Sequence, residues 1–148
     1  MKFLLTILIC ALAAPLFAQQ PAEESPVRFR AVDIYIDSAN TPLAAYQLEF
    51  SVTNAVAKIV GIEGGAHPAF HEPPFYDPKA IQQERVIIAA FNTAKPETLP
   101  TGKTRVATIH LEIIGAEKPA YELKLQTAGD SAGNKIQVTA IVQEGKIQ

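Results

Sequence analysis

The sequence predicts an all-β domain folded as a two-sheet antiparallel β-sandwich. Two observations predict it: apolar residues recur with a period of two along short runs, and clusters of Gly, Pro, Asn, Asp and Ser separate those runs. A period of two places alternate side chains on one face of a strand. No stretch of the chain keeps a helical period of apolar residues. Short strands divided by turns are typical of a sandwich or a barrel.

The first strand is predicted at residues 27–37, where the alternation places Val32, Ile34 and Ile36 on one face. In the next, residues 43–52, apolar side chains from Ala44 to Val52 alternate with mostly polar ones. Further strands are predicted at residues 56–62, 85–91, 104–115, 121–127 and 136–142. In the run at residues 104–115, the expected shared face holds Arg105, Ala107, Ile109, Leu111 and Ile113.

The N-terminus has the pattern of a secretory signal peptide over residues 1–18. Lys2 supplies the positive charge, residues 3–14 are almost entirely apolar, and a short segment ends at Ala18. The apolar run is too short for a comfortable membrane span, which takes about 20 residues. The mature chain is therefore predicted to be exported, to the periplasm or outside the cell, with no membrane span of its own.

Two features of this segment leave alternatives open. Leu16 stands where a small residue is preferred before cleavage, so an uncleaved N-terminal anchor is one alternative. Cys10 raises lipidation as another, although Ile9 precedes it where lipoprotein signals have a small residue.

Residues 19–26 are predicted to be a flexible polar spacer, and residues 27–148 to be one domain. Cys10 is the only cysteine, so the mature chain has neither a disulfide nor a thiol nucleophile. Loss of Lys2 leaves 12 of the 13 basic residues against 15 acidic ones, and neither sign forms a run. A nucleic-acid partner normally requires a basic patch, so none is expected.

The order of features over residues 32–147 carries a family resemblance. The matching stretches are VDIYID at 32–37, PLAAYQLEFSV at 42–52, AKIVGIEGG at 57–65, VIIAAF at 86–91, LPTGKTRVATIHLEI at 99–113 and the closing segment at 135–147. In this order they resemble the cohesin-like domain, a nine-stranded jelly-roll sandwich related to some bacterial carbohydrate-binding modules. The resemblance implies a jelly-roll topology and a binding role without catalysis.

A long Pro-rich loop at residues 66–78 contains the candidate metal ligands His67, His71, Glu72 and Asp77. Two imidazoles and two carboxylates within eleven residues can supply nitrogen and oxygen ligands to a divalent ion. No cysteine pair accompanies them, and the prolines forbid a helix that would align both histidines. The alternative is a loop whose polar groups face water, with no cofactor bound.

The same loop contains three rings among its four prolines: Phe70, Phe75 and Tyr76. Aromatic residues dominate the energetic centres of interfaces, so these rings are candidate contacts for a protein partner or for the sugars of a polysaccharide. Alternatively, they fold back and cap the end of the sandwich.

The remaining candidates for chemistry favour turns and surface charges over catalysis. Asp130 and Asn134 frame a turn that has too few oxygens for calcium by itself. Asp33 and Asp37 share a strand face, but about 13 Å separates them at about 3.3 Å per residue, too far for paired glycosidase carboxylates. His110 lies on the polar side of its strand, and no Gly-x-Ser-x-Gly elbow is present.

These observations predict an exported, non-catalytic binding module that recognises a protein partner through a sheet face or the Pro-rich loop. Binding of a polysaccharide through the loop rings is the alternative. A metal-dependent enzyme is the third hypothesis, and it requires His67, His71 and a carboxylate to converge.

Overall fold

Seven strands form two antiparallel sheets in residues 25–145, the part of the chain that the computed structural model describes. The strands are β1 (Val27–Asp37), β2 (Ala45–Thr53), β3 (Val56–Gly64), β4 (Arg85–Phe91), β5 (Lys103–Ile114), β6 (Ala120–Gly129) and β7 (Thr139–Glu144). Short 3-10 turns occupy Pro68–Phe70, Pro78–Ala80 and Pro96–Thr98. No helix in residues 25–145 is long and apolar enough to cross a membrane. The predicted signal peptide and most of the predicted spacer lie outside the described residues.

The strand order is β3-β5-β1-β7 in the four-stranded sheet and β4-β2-β6 in the three-stranded sheet. Every neighbouring pair is antiparallel. The prediction of an all-β fold with two antiparallel sheets is confirmed.

The core lies between the sheets and is built from the alternation visible in the sequence. Val32, Ile34 and Ile36 of β1 are fully buried, as are Leu48 and Phe50 of β2. Each large apolar side chain removed from water contributes about 1.5–3 kcal/mol. Because the chain has no disulfide available within the described residues, this packing is what holds the two sheets together.

One expectation about β5 is wrong because the strand contains a bulge. Ile34 pairs with Ala107, whereas Tyr35 pairs with Arg105, so Val106 is an extra residue. Val106 and Ala107 are both buried, and the alternation changes phase between them. Arg105 therefore lies on the outer face of the sheet and not beside Ile109 in the core.

The C-terminal third also departs from simple alternation. In β6, Leu125 pairs with Leu48 but Thr127 pairs with Gln47, so a second bulge leaves Thr127 exposed. The predicted strand at residues 136–142 begins later, at Thr139. The preceding segment instead crosses to β6, where Ile136 N donates a hydrogen bond to Ala128 O at 3.0 Å.

Candidate functional site

The Pro-rich loop extends the three-stranded sheet beyond its edge strand β4. Phe75 N donates to Ala89 O at 2.7 Å, and Ala89 N donates to Phe75 O at 3.0 Å. Prolines stand near this bridge at positions 73, 74 and 78, and proline cannot donate a backbone hydrogen bond to a further strand. The loop therefore covers part of an edge that would otherwise be free to pair with another chain.

The three loop rings have different environments. Phe70 is 2% exposed and meets Tyr46 edge-on, with ring centroids 5.5 Å apart. Tyr76 is half-buried and packs against the core. Phe75, in contrast, is 69% exposed. The structure thus places Phe70 where the capping alternative puts it, with no surface for a ligand, and leaves Phe75 as the ring that faces solvent.

Phe75 has an exposed aromatic neighbour that the sequence analysis missed. Its ring stacks on Phe91 of β4, with centroids 6.0 Å apart and an angle of 13° between planes. Phe91 is 64% exposed, and Ile87 on the same side of β4 is 38% exposed. Ala89 lies between them on the strand. We call these four residues, Phe75, Ile87, Ala89 and Phe91, the aromatic face.

Charged groups flank the aromatic face. Glu49 of β2 lies opposite Ile87 in the strand register. Its carboxylate accepts hydrogen bonds from Arg85 Nη2 at 2.6 Å and from Lys124 Nζ at 3.5 Å. The hydrogen bond from Arg85 is the main reason that the pKa of Glu49 is lowered. The Glu49 side chain is 11% exposed, against 57% for Arg85 and 68% for Lys124, so within this cluster the positive charges reach solvent, beside the exposed carboxylates of Asp77 and Glu122.

The surface beside the aromatic face is concave. Phe75, Ile87 and Ala89 share a depression of about 560 Å³ with three charged residues, Lys79, Arg85 and Asp77. An apolar wall with a few charged groups at its rim can seat a side chain from another molecule.

The four predicted metal ligands are engaged in local structure. His67 Nδ1 accepts from Ala69 N at 3.1 Å, and Asp77 Oδ1 accepts from Lys79 N at 2.9 Å, so each caps a 3-10 turn. His71 Nε2 lies 2.9 Å from Glu72 Oε1 on the surface. No group of three or more His, Cys, Asp or Glu side chains in residues 25–145 is arranged to hold a metal ion.

Asp130 also has a structural role. Its carboxylate accepts hydrogen bonds from Ala132 N at 2.9 Å, from Asn134 N at 2.8 Å and from Asn134 Nδ2 at 3.0 Å. The side-chain bond from Asn134 is the largest cause of the lowered pKa of Asp130. Both carboxylate oxygens are thus engaged in closing a turn between β6 and Lys135.

Asp37 caps a turn by accepting from Ala39 N at 2.9 Å. Asp33 and His110 both lie on the outer face of the four-stranded sheet. Asp33 Oδ1 accepts from Thr108 Oγ1 at 2.7 Å and lies 3.6 Å from Arg105 Nη1. We call the depression that these side chains line with Phe29, Tyr35 and Glu63 the polar groove. Sequence periodicity could not find it because Arg105 reaches this face through the β5 bulge.

No protein-family model matches the chain, and neither a curated protein nor a solved structure is significantly similar to it. The cohesin-like resemblance therefore stays a prediction.

Proposed function

We propose that this protein is an exported, non-catalytic binding module that docks a protein partner on the aromatic face. The observation that carries the proposal is the exposed Phe75–Phe91 stack, which joins the Pro-rich loop to β4. Single exposed apolar residues are ordinary on protein surfaces, but contiguous apolar patches mark interaction sites. Two rings, Ile87 and Ala89 form such a patch.

A cohesin-like jelly roll is part of the same proposal. Isolated bridges add short paired segments at Phe75, beside Ala89, and at Lys135, beside Gly129. The nine strands that the resemblance implies would require each of these single-residue bridges to count as a short strand beside the seven. The two-sheet architecture is compatible with this assignment.

The energetics of the aromatic face favour a partner that buries both rings. Full burial of a phenylalanine side chain is worth about 1.5–3 kcal/mol relative to exposure, and aromatic residues are enriched among the residues that dominate binding energy. The bridge to Ala89 holds the Phe75 backbone in place. Less conformational freedom is therefore lost when a partner docks.

The chemistry of the partner follows from the charges at the rim. Glu49 is covered, whereas Arg85 and Lys124 project their positive charge into solvent; the exposed carboxylate of Asp77, which lies on the loop side, caps the turn at Lys79. A complementary segment has an apolar or aromatic side chain for the Phe75–Phe91 stack and acidic side chains beside it. Such charge pairs accelerate association and select the partner.

The experiment starts with affinity capture from the envelope and secreted fractions of the source organism, using the chain without its predicted signal peptide. The captured protein is then purified and its affinity measured by calorimetry against variants. Phe75→Ala and Phe91→Ala should each weaken binding at least about tenfold. Val56→Thr is the matched control, because Val56 is 62% exposed on the other sheet and threonine keeps its strand preference.

Charge reversal supplies a second test of the same partner. Arg85→Glu and Lys124→Glu should slow association, and the effect should fade as salt rises. Equal affinity of the wild type, Phe75→Ala and Phe91→Ala would overturn the proposal. So would sedimentation showing a dimer of this chain that Phe91→Ala dissociates, because the aromatic face would then serve self-association.

A further inference from the structure

The polar groove crosses the outer face of the four-stranded sheet, on a different sheet from the aromatic face. Its volume is about 880 Å³, and its lining comes from β1, β3, β5 and the end of β7. We propose that this groove binds a saccharide. The inference is independent of the partner-docking function, because the two surfaces share no residue.

The floor of the groove holds a fixed set of polar groups. Arg105 Nη1 donates to Thr108 Oγ1, and Thr108 Oγ1 donates to Asp33 Oδ1 at 2.7 Å. Thr108 is 4% exposed, so the centre of this chain is locked by packing. The other nitrogens of Arg105 and the second oxygen of Asp33 make no hydrogen bond within residues 25–145. They remain as donors and an acceptor for a ligand, already held in place.

A second polar pair lies further along the groove. His110 Nε2 is 3.1 Å from Glu63 Oε1, yet the nitrogen is shielded from solvent without a hydrogen bond of good alignment in the described residues. The Glu63 side chain is 67% exposed and free to move. A ligand hydroxyl can bond to the exposed Glu63 carboxylate directly. It reaches His110 Nε2 only when the Glu63 side chain moves aside, and it then gives that nitrogen the hydrogen bond it lacks.

Aromatic rings stand at two positions along the groove. Phe29 is 62% exposed, and Tyr35 lies six residues later on the same face of β1, about 20 Å away at about 3.3 Å per residue. Lys103 Nζ covers Tyr35 at 4.6 Å from its ring centroid, whereas the Phe29 ring is open. The negative face of an aromatic ring attracts the C–H bonds of a sugar ring.

The balance of charge favours a neutral polyhydroxylated ligand over an ion. The charged side chains that line the groove are mixed in sign, with Arg30 and Arg105 beside Asp33, Glu63 and Glu144, so the groove presents donors and acceptors side by side. A hydroxyl group donates and accepts at once, and neighbouring hydroxyls can bond to a guanidinium and a carboxylate together. An anion would meet Asp33 and Glu63, and a cation would meet Arg105.

The test uses defined probes: β-1,4-linked hexasaccharides of glucose, xylose, mannose and N-acetylglucosamine, titrated by calorimetry and by affinity electrophoresis. At least one should bind. Asp33→Ala should weaken that binding about tenfold to a hundredfold, as expected for loss of a charged hydrogen bond, and Phe29→Ala at least several-fold. Phe29 is exposed, so its variant should melt like the wild type, which keeps the test valid if Asp33→Ala folds poorly.

Val56→Thr, at an exposed position of the same sheet that does not line the groove, should bind the sugar as the wild type does. Absence of binding to all four probes would overturn the inference. Retention of full affinity by both Phe29→Ala and Asp33→Ala would do so as well. Sugar binding that is lost in Phe91→Ala would move the site to the aromatic face and reject the groove.

Discussion

The hydroxyl of Tyr46 on β2 donates a hydrogen bond across the sandwich to the carbonyl oxygen of Val106 on β5, at 3.2 Å. Both residues are buried. Val106 is the extra residue of the β5 bulge, and a bulge leaves part of the strand ladder unpaired. The Tyr46 side chain on the three-stranded sheet thus supports the β5 bulge in the four-stranded sheet. That bulge turns Arg105 outward into the polar groove.

Tyr46→Phe should destabilise the fold at neutral pH. The ring and its contact with Phe70 are kept, so the change isolates the hydroxyl. Loss of the hydroxyl leaves the buried carbonyl oxygen of Val106 without this hydrogen bond, which costs about 1–3 kcal/mol. Urea unfolding at pH 7 measures it, and an unchanged midpoint would mean that the bond contributes nothing.

The same variant should change stability at alkaline pH. Burial raises the pKa of Tyr46 well above its usual value of 10 in the folded state. The folded protein therefore gains stability from the neutral phenol below about pH 10, and loses it as pH rises further. Tyr46→Phe removes this contribution, while Tyr121, whose pKa is raised to about 12 mainly by burial, retains its own. Unfolding curves from pH 9 to pH 11 should fall less steeply for Tyr46→Phe, and parallel curves would contradict the assignment.

Alanine substitutions of the two loop phenylalanines should differ in their cost to stability, because Phe70 is buried and Phe75 is exposed. Phe70→Ala empties a site that is 2% exposed and should cost about 3–5 kcal/mol. Phe75→Ala removes a ring that is 69% exposed and should cost less than about 1.5 kcal/mol, the value of its stacking on Phe91. Thermal or urea unfolding of both variants is the measurement. Equal losses would show that Phe75 is packed more deeply than its exposure indicates.

Protonation of Glu49 should contribute to the loss of folding stability at acidic pH. The hydrogen bond from Arg85 lowers the pKa of Glu49 in the folded state. A lowered folded pKa stabilises the fold above the unfolded value, about 4.5, and that stabilisation disappears as pH falls through the folded value. Glu49→Gln should therefore flatten the decline in unfolding free energy between about pH 5 and pH 3. Arg85→Gln should flatten it too, and an unchanged decline in both variants would contradict the role of the pair.

Alternation of side chains was sufficient to predict β1 and the buried face of β2, because each keeps one phase over the residues that enter the core. It failed at Arg105, because a single inserted residue in β5 reverses the phase and the local composition gives no sign of it. Phe91 was missed for another reason. It ends an apolar run, residues 86–91, in which both faces look alike.

The environments of the loop rings at the candidate site could not be predicted from the sequence either. Phe70 and Phe75 have the same side chain and similar proline neighbours, so the sequence could not tell the buried ring from the exposed one. The pairing of Phe75 with Ala89 decides between them. That pairing joins residues distant in sequence, which periodicity does not report.

Gly64 at the end of β3 should be essential to the position of the loop. A Cβ atom there would lie 1.9 Å from the backbone oxygen of His71 and 2.6 Å from that of Glu72. Backbone atoms cannot move aside as a flexible side chain can, so Gly64→Ala must displace the loop or the strand. The expected loss of stability is about 3 kcal/mol, at the upper end for added bulk in a packed site.

Gly61 on the same strand is the matched control. A Cβ atom at this position would meet the His110 side chain at 3.8 Å, an ordinary contact. Gly61→Ala should leave stability within about 1 kcal/mol of the wild type, because alanine loses less backbone freedom on folding. Since the displaced loop carries Phe75, Gly64→Ala should also weaken partner binding, whereas Gly61→Ala should not. Wild-type stability and binding in Gly64→Ala would show that the contact between β3 and residues 71–72 does not position the aromatic face.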